Sequence, residues 1–207
     1  MRVNRLTFTP ANASLTGFAS NVTGATWTLT ATATSDSLAH QVSIRNDSVT
    51  DHSGKTAILT GTDADGYALT ETITLPGVSA TVESAGYFKT LTSVVPSATI
   101  NADTMDIGWV DEFISQTIPV KGSNSSVNQA VVGLTAIVTG TINYTIQHTS
   151  DDIQTTSDRV FNWLDHDDSS VVAATASANA NYVAIPQATR LKINSYSSGA
   201  TIQLQIF

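Results

Sequence analysis

The sequence predicts an all-β protein: two tandem β-sandwich domains of the jelly-roll or immunoglobulin-like kind, with little or no helix. Three observations carry that expectation. Charged residues make up only 13% of the chain, against about 25% in ordinary domains, so the polar surface must be built from Thr, Ser, Asn and Gln. β-Branched residues abound while strong helix formers are scarce. Short runs alternate apolar and polar side chains, separated at close intervals by Gly, Asn, Asp and Ser turns, with no long amphipathic stretch between them.

The 207 residues suit two domains of about 100 residues each. The strand pattern restarts between Glu112 and Lys121, before the polar loop KGSNSSVN (121–128). The expected division is therefore 1–113, an N-terminal arm plus a sandwich, and 114–207, a second sandwich.

Composition also excludes. Cysteine is absent, which removes disulfides, thiolate nucleophiles and Cys-containing zinc sites. A formal net charge of −8 argues against a nucleic-acid partner, because phosphate binding needs clustered cations. No segment approaches the roughly 18 apolar residues of a membrane span, and the N-terminus has no apolar export core. The expectation is a soluble protein without a membrane partner. Only four Lys (55, 89, 121, 192) and three Glu (71, 83, 112) occur. A surface poor in long charged side chains resembles the cores of protein–protein interfaces, where such chains are costly to immobilise and desolvate.

In chain order, residues 1–26 have weak periodicity and read as an opening arm whose only charges are Arg2 and Arg5. WTLTATAT (27–34) and Gln41–Arg45 alternate as strands. The central feature is GTDADGYALTETITLP (61–76). One strand ends at Thr62, Asp63-Ala64-Asp65-Gly66 turns the chain, and the return strand sets Tyr67, Leu69, Ile73 and Leu75 against four Thr and Ala positions. Gly66 supplies the positive φ of such a turn. Glu71 sits on the apolar parity, so it must be paired, at a rim, or facing a partner. Strands follow at 78–82, 87–95 and 104–110, the last placing Met105, Ile107 and Trp109 on one face. In the second half, Ile142, Tyr144, Ile146 and His148 share a parity. A strand over 159–164, a short helical turn in the Ala/Ser tract 173–181, and a closing hairpin around Ser197-Ser198-Gly199 complete the pattern.

Candidate chemistry is sparse. Asp63–Gly66 lacks the downstream Glu and the preceding ligand of a calcium loop, so a hairpin turn is preferred. Asp165, His166, Asp167 and Asp168, joined by His148 and by Asp151 and Asp152, could hold a divalent ion if their loops converged; a solvated acidic loop is the commoner outcome. The metal candidates are His148, Asp165, His166 and Asp168, and a metal hydrolase there is the enzymatic alternative. No Ser lies in a nucleophile elbow, and three Glu do not suggest paired glycosidase carboxylates. No catalytic residue and no cofactor is assigned. Trp109 and Trp163 read as core. A host-glycan-binding module would need an aromatic cleft around Trp27 or a Tyr. Arg2, Arg5, Glu71 and Trp27 are the candidate contact residues.

Two stretches carry a resemblance. TGTDADGYALTETITLP followed by YFKTLTSVV (60–95) resembles a hairpin motif of small structural proteins of tailed bacteriophages. NYTIQHTSDD (143–152), FNWLDHDD (161–168), NYVAIP (181–186) and ATRLKINSYSSGATIQLQIF (188–207) resemble, in order, a second phage virion pattern. Asp65, Gly66, Trp163, Asp165, His166 and Arg190 are the pattern members. The resemblance implies a non-enzymatic virion protein assembled in the host cytoplasm, a homo-oligomer with other virion proteins as partners. Capsid decoration (cement) is its first expectation, and a tail or head–tail accessory role its second.

Overall fold

The computed structural model describes residues 4–120, 132–154 and 161–207. The chain is all-β, as expected, with antiparallel sheets in a sandwich-like arrangement. A single 3-10 turn at Ser169–Val171 is the only helical element among the described residues. Two compact units form: Ala11–Ile114, and Ser115–Phe207 together with Met1–Pro10. The start of the chain thus groups with the second unit and not, as expected, with the first. Its strand β1 (Asn4–Phe8) pairs along its length with the last strand of the chain, from Asn4 opposite Ile206 to Phe8 opposite Ile202. Only Leu6 and Phe8 mark the inward parity of β1, too little alternation to distinguish a strand from an arm.

The unit Ala11–Ile114 contains β2 (Ser14–Val22), β3 (Ala39–Asn46), β4 (Thr56–Thr62), β5 (Ala68–Thr74), β6 (Thr81–Phe88), β7 (Thr90–Pro96) and β8 (Met105–Ile114). One sheet has the order β2-β8-β3-β6, the other β5-β4-β7. Alternation aims Ala57 and Leu59 of β4 and Ile73 of β5 inward, and a register shift between Leu91 and Ser93 lets both Leu91 and Val94 of β7 join them. They meet Phe18, Val42, Ile44, Phe88, Ile107 and Trp109 in one core, each large side chain contributing about 1.5–3 kcal/mol by burial.

The central hairpin has the expected form. Thr56 to Thr62 pair with Thr74 to Ala68, and Gly66 has φ +88°. Asp63 holds the turn, its carboxylate accepting the amides of Asp65 and Tyr67 at 2.9 Å each. Ile73 and Leu75 are buried as read, whereas Tyr67 is exposed. Gly61 is required for close approach, since a Cβ there would strike the Thr90 carbonyl oxygen.

Three expectations change in this unit. Residues 27–34 are irregular: Thr30 and Ala31 donate their amides to the Phe18 carbonyl and Leu91 donates to that of Thr32, leaving Ala33 in an isolated bridge. β2 is a strand inside the supposed arm, and its slips in register against β8 erase the period-two signal. YFKTLTSVV is not one strand, because Phe88 ends β6 in one sheet and Thr90 begins β7 in the other.

The other unit adds β9 (Ile118–Pro119), β10 (Val132–Thr139), β11 (Ile142–Thr149), β12 (Leu164–Asp165), β13 (Ala178–Tyr182), β14 (Ala188–Tyr196) and β15 (Thr201–Ile206). One sheet runs β1-β15-β10-β13. In the other, β11 pairs with β12 and β14, and β14 with β9. Tyr144, Ile146, Leu191 and Ile193 are buried from one sheet, Leu134, Ala136, Ile202 and Leu204 from the other. The closing hairpin is not one: β14 and β15 belong to different sheets, and the turn at Ser197–Gly199 changes sheet. The Ala/Ser tract becomes strand from Ala178, with the helical turn lying upstream of it. The loop 121–128 and the start of the strand expected at 159–164 lie outside the described residues; the strand found is Leu164–Asp165.

Candidate functional site

In the unit Ser115–Phe207, His148 is the penultimate residue of β11, opposite Leu164 of β12. The chain leaves β12 directly into His166, whose amide donates to the Ile146 carbonyl at 2.9 Å. Asp168 then caps the 3-10 turn, accepting the Ser170 amide at 2.9 Å. β13 contributes Asn181 and Tyr182. The three rings meet: His166 lies 4.4 Å from Tyr182, centroid to centroid, and His148 5.3 Å from Tyr182 and 6.4 Å from His166. They border a cavity of about 320 Å³, closed by Ser150, Asp167, Asp168 and the segment Val183–Pro186.

Hydrogen bonding sets the state of His166. Its Nδ1 accepts the amide of Asp168 at 2.9 Å, so in the neutral ring the proton is on Nε2. That Nε2 is buried and has no partner among the described residues, and neither has Nδ1 of His148. Burial, followed by the neighbouring His148, lowers the His166 pKa below its ordinary value against the pull of Asp167 and Asp168. The Tyr182 phenol is pushed up to about 12, chiefly by burial. Its hydroxyl donates to Thr189 Oγ1 at 3.2 Å, because the Thr189 hydrogen is committed to the Gln147 carbonyl.

This geometry does not assemble the divalent-ion site that the sequence offered as the less favoured alternative to a solvated acidic loop. With Nδ1 occupied by an amide hydrogen and Nε2 protonated, His166 has no lone pair left for a cation. Asp168 is engaged with Ser170, and Asp165 accepts from Gln147 Nε2 at 2.8 Å. Asp151 accepts the Asn162 amide at 2.6 Å, and Asp152 that of Gln154 at 2.9 Å. Among the described residues no three His, Asp or Glu side chains converge.

Asp165 belongs instead to a structural relay. Gln147 Oε1 accepts from Arg190 Nε at 2.8 Å, and the Arg190 guanidinium sits 4.2 Å above the ring of half-buried Trp163. Trp163, Asp165 and Arg190 therefore come together around Gln147 and hold β12 on the edge of β11.

The contact candidates fare differently. Arg2 lies outside the described residues. Arg5 is exposed on β1, opposite Gln205. Trp27 is no surface platform, being buried in the core beside Phe18 and Trp109. Glu71 faces neither a cation nor solvent alone: it accepts the amides of Ala85 and Gly86 at 2.8 Å each. Those amides are freed by an irregularity of β6, where Ser84 Oγ accepts the Val42 amide in place of a ladder bond. Glu71 thus clips β5 to β6.

Sequence reasoning passed over Asp36 and His40. His40, 1% exposed, directs Nε2 at the Asp36 carboxylate (2.9 Å) and Nδ1 at the Val110 carbonyl (3.1 Å). Asp36 also accepts from the Ala11 amide, Thr34 Oγ1 and the Leu38 amide. Burial works to raise its pKa, but these bonds together hold it well below the carboxylate range.

A second surface is defined by what it lacks. The outward positions of β5-β4-β7 are Thr, Ser, Ala, Ile and Val, with no charged residue among them. Ile58 stands opposite both Thr72 and Val95, and Thr60 opposite Thr70 and Ser93. Ile58 and Val95 are 46% and 53% exposed. Among the described strands, β5 pairs with β4 alone.

The fold defines an all-β, sandwich-like protein. Compared with known proteins, the chain matches no family model and no curated sequence.

Proposed function

We propose that the protein is a non-enzymatic structural component of a tailed-phage virion, a capsid decoration (cement) protein that works by contact. The observation carrying this reading is the uncharged outward face of β5-β4-β7 on a chain of net charge −8. Short β-branched side chains lose little rotamer freedom when covered, and their desolvation costs far less than that of Lys or Glu. The face would be buried against neighbouring copies or the major capsid protein, while the β5 edge offers main-chain hydrogen bonds to a partner strand. The phage-like motifs at 60–95 and 140–207 support the same reading, and the first of them builds this face.

The test is binding of purified protein to particles that lack it. Thr72→Lys and Ile58→Lys place a charge at the centre of the face; each is expected to weaken binding about tenfold or more with the circular dichroism spectrum unchanged. Wild-type binding by both variants would overturn the face as the contact. Binding to tails instead of heads would move the protein to the tail or head–tail accessory class.

A further inference from the structure

We infer that β5 is a self-pairing edge: it adds, antiparallel and across a two-fold axis, to β5 of a second copy of this chain. The inference rests on the reading of β5-β4-β7 as a contact surface and names the partner of its edge. The 61–76 hairpin fixes which groups are on offer. The Asp63 amide donates to the Tyr67 carbonyl and the Leu75 amide to the Lys55 carbonyl, both at 2.9 Å. Between those bonds every second residue of an antiparallel ladder is a bonded position, so Leu69, Glu71 and Ile73 bond to β4. Thr70 and Thr72 turn their N–H and C=O groups the other way, where no described strand pairs with them. Ala68, Thr70, Thr72 and Thr74 are all exposed.

Sheet edges are usually blocked by irregularity, cover, charge or short length. Three edges of the unit Ala11–Ile114 follow that rule. β2 and β6 lose register against their neighbours, and β7 is bridged at its start by Ala33. β5 keeps an unbroken ladder over all seven of its residues. Its one charged side chain, Glu71, is already matched within the chain by the amides of Ala85 and Gly86. Even-numbered residues face the edge, so a two-fold pairing sets Thr against Thr. Centred on Thr72, it places Thr70 opposite Thr74 of the second copy and Glu71 opposite Ile73, so no like charges meet across the ladder. Facing Thr pairs favour such a register. On a chain of net charge −8, an uncharged edge is where two copies approach with least repulsion. The two β5-β4-β7 faces then join in one sheet of six strands.

The experiment follows backbone amide exchange of the full chain by NMR, together with sedimentation equilibrium, as its concentration is raised about a thousandfold to about 1 mM. In dilute protein Leu69, Glu71 and Ile73 should be protected while Thr70 and Thr72 exchange freely. With rising concentration a dimer is expected, in which Thr70 and Thr72 become protected, and added salt should strengthen it by screening the net charge. Thr72→Pro removes an edge N–H that the monomer does not use. It should weaken self-association about tenfold or more with the circular dichroism spectrum unchanged. The exchange measurement uses the wild-type chain, so it decides even where that variant fails to fold. A chain that stays monomeric throughout, or a dimer whose Thr70 and Thr72 amides still exchange freely, would overturn the inference. The two readings fail separately. No dimer with particle binding retained overturns only the partner, whereas wild-type particle binding by Thr72→Lys and Ile58→Lys overturns the surface itself.

Discussion

His40 in the unit Ala11–Ile114 and His166 in the unit Ser115–Phe207 are withdrawn from solvent to the same degree, yet they are opposites in hydrogen bonding. His40 faces an acceptor at each nitrogen, an arrangement satisfied when both carry hydrogen. His166 uses one nitrogen to accept an amide and leaves the other unmatched. Burial alone does not separate the two histidines; the inventory of partners does. Other polar side chains of the first unit are matched as His40 is, although Trp27 Nε1, Ser43 Oγ and Arg45 Nε are buried there without a partner among the described residues. Glu71 is matched by two amides, and His52 accepts from Lys55 while donating to Asp103.

The contrast has measurable consequences. The largest is expected at His40. His40→Ala leaves the Asp36 carboxylate buried without its principal partner and should cost about 3 kcal/mol by urea denaturation. His166→Ala removes an unmatched donor together with the acceptor for one amide and should cost about 1 kcal/mol. Equal losses would erase the distinction between the two corners. Glu71 belongs with His40: Glu71→Ala is expected to cost about 2 kcal/mol and Glu71→Gln roughly half that, since the amide keeps one acceptor oxygen.

The pH dependence separates the units by sign and window. His166 is neutral when folded and its pKa is lowered from 6.5. The unfolded chain therefore takes up a proton first as pH falls, and the stability of its unit declines below about 6.5. Protonating Nδ1 also breaks its bond from Asp168. Asp36 is a depressed carboxylate; its contribution is complete above the ordinary value of 3.8 and is lost only below it. Amide-exchange protection measured from pH 7 to 4 should fall first around β11, β12 and the 3-10 turn. His166→Phe should abolish that early loss. The smallest effect is expected on the uncharged face, where Thr72→Lys should change stability by no more than about 0.5 kcal/mol. A much larger loss there would mark the face as part of the fold and not a surface for partners.

The sequence was legible where one local cause acts. The 61–76 hairpin needs only alternation and a glycine at positive φ, and both are visible. β2 was hidden by its register slips. The turn at 197–199 was misread because period-two strands look alike whether the next strand pairs beside them or crosses to the opposite sheet. At the site, His148, Asp165, His166 and Asp168 could be picked out as a polar group, and three of them, His148, His166 and Asp168, border one cavity. Their chemistry depended on a backbone amide, that of Asp168, and residue types do not reveal where amides point. Glu71 was conspicuous for the same reason that it was misjudged: its partners are amides exposed by an irregularity at 84–86, not side chains.

Both proposals separate what this protein holds together from what it offers outward, and the assembly reading is the broader of the two. Immunogold labelling of intact virions with antibody against the purified chain tests it most directly. Gold confined to the heads is the expected result. Virions carrying no gold, from cells that make the protein in quantity, would contradict it.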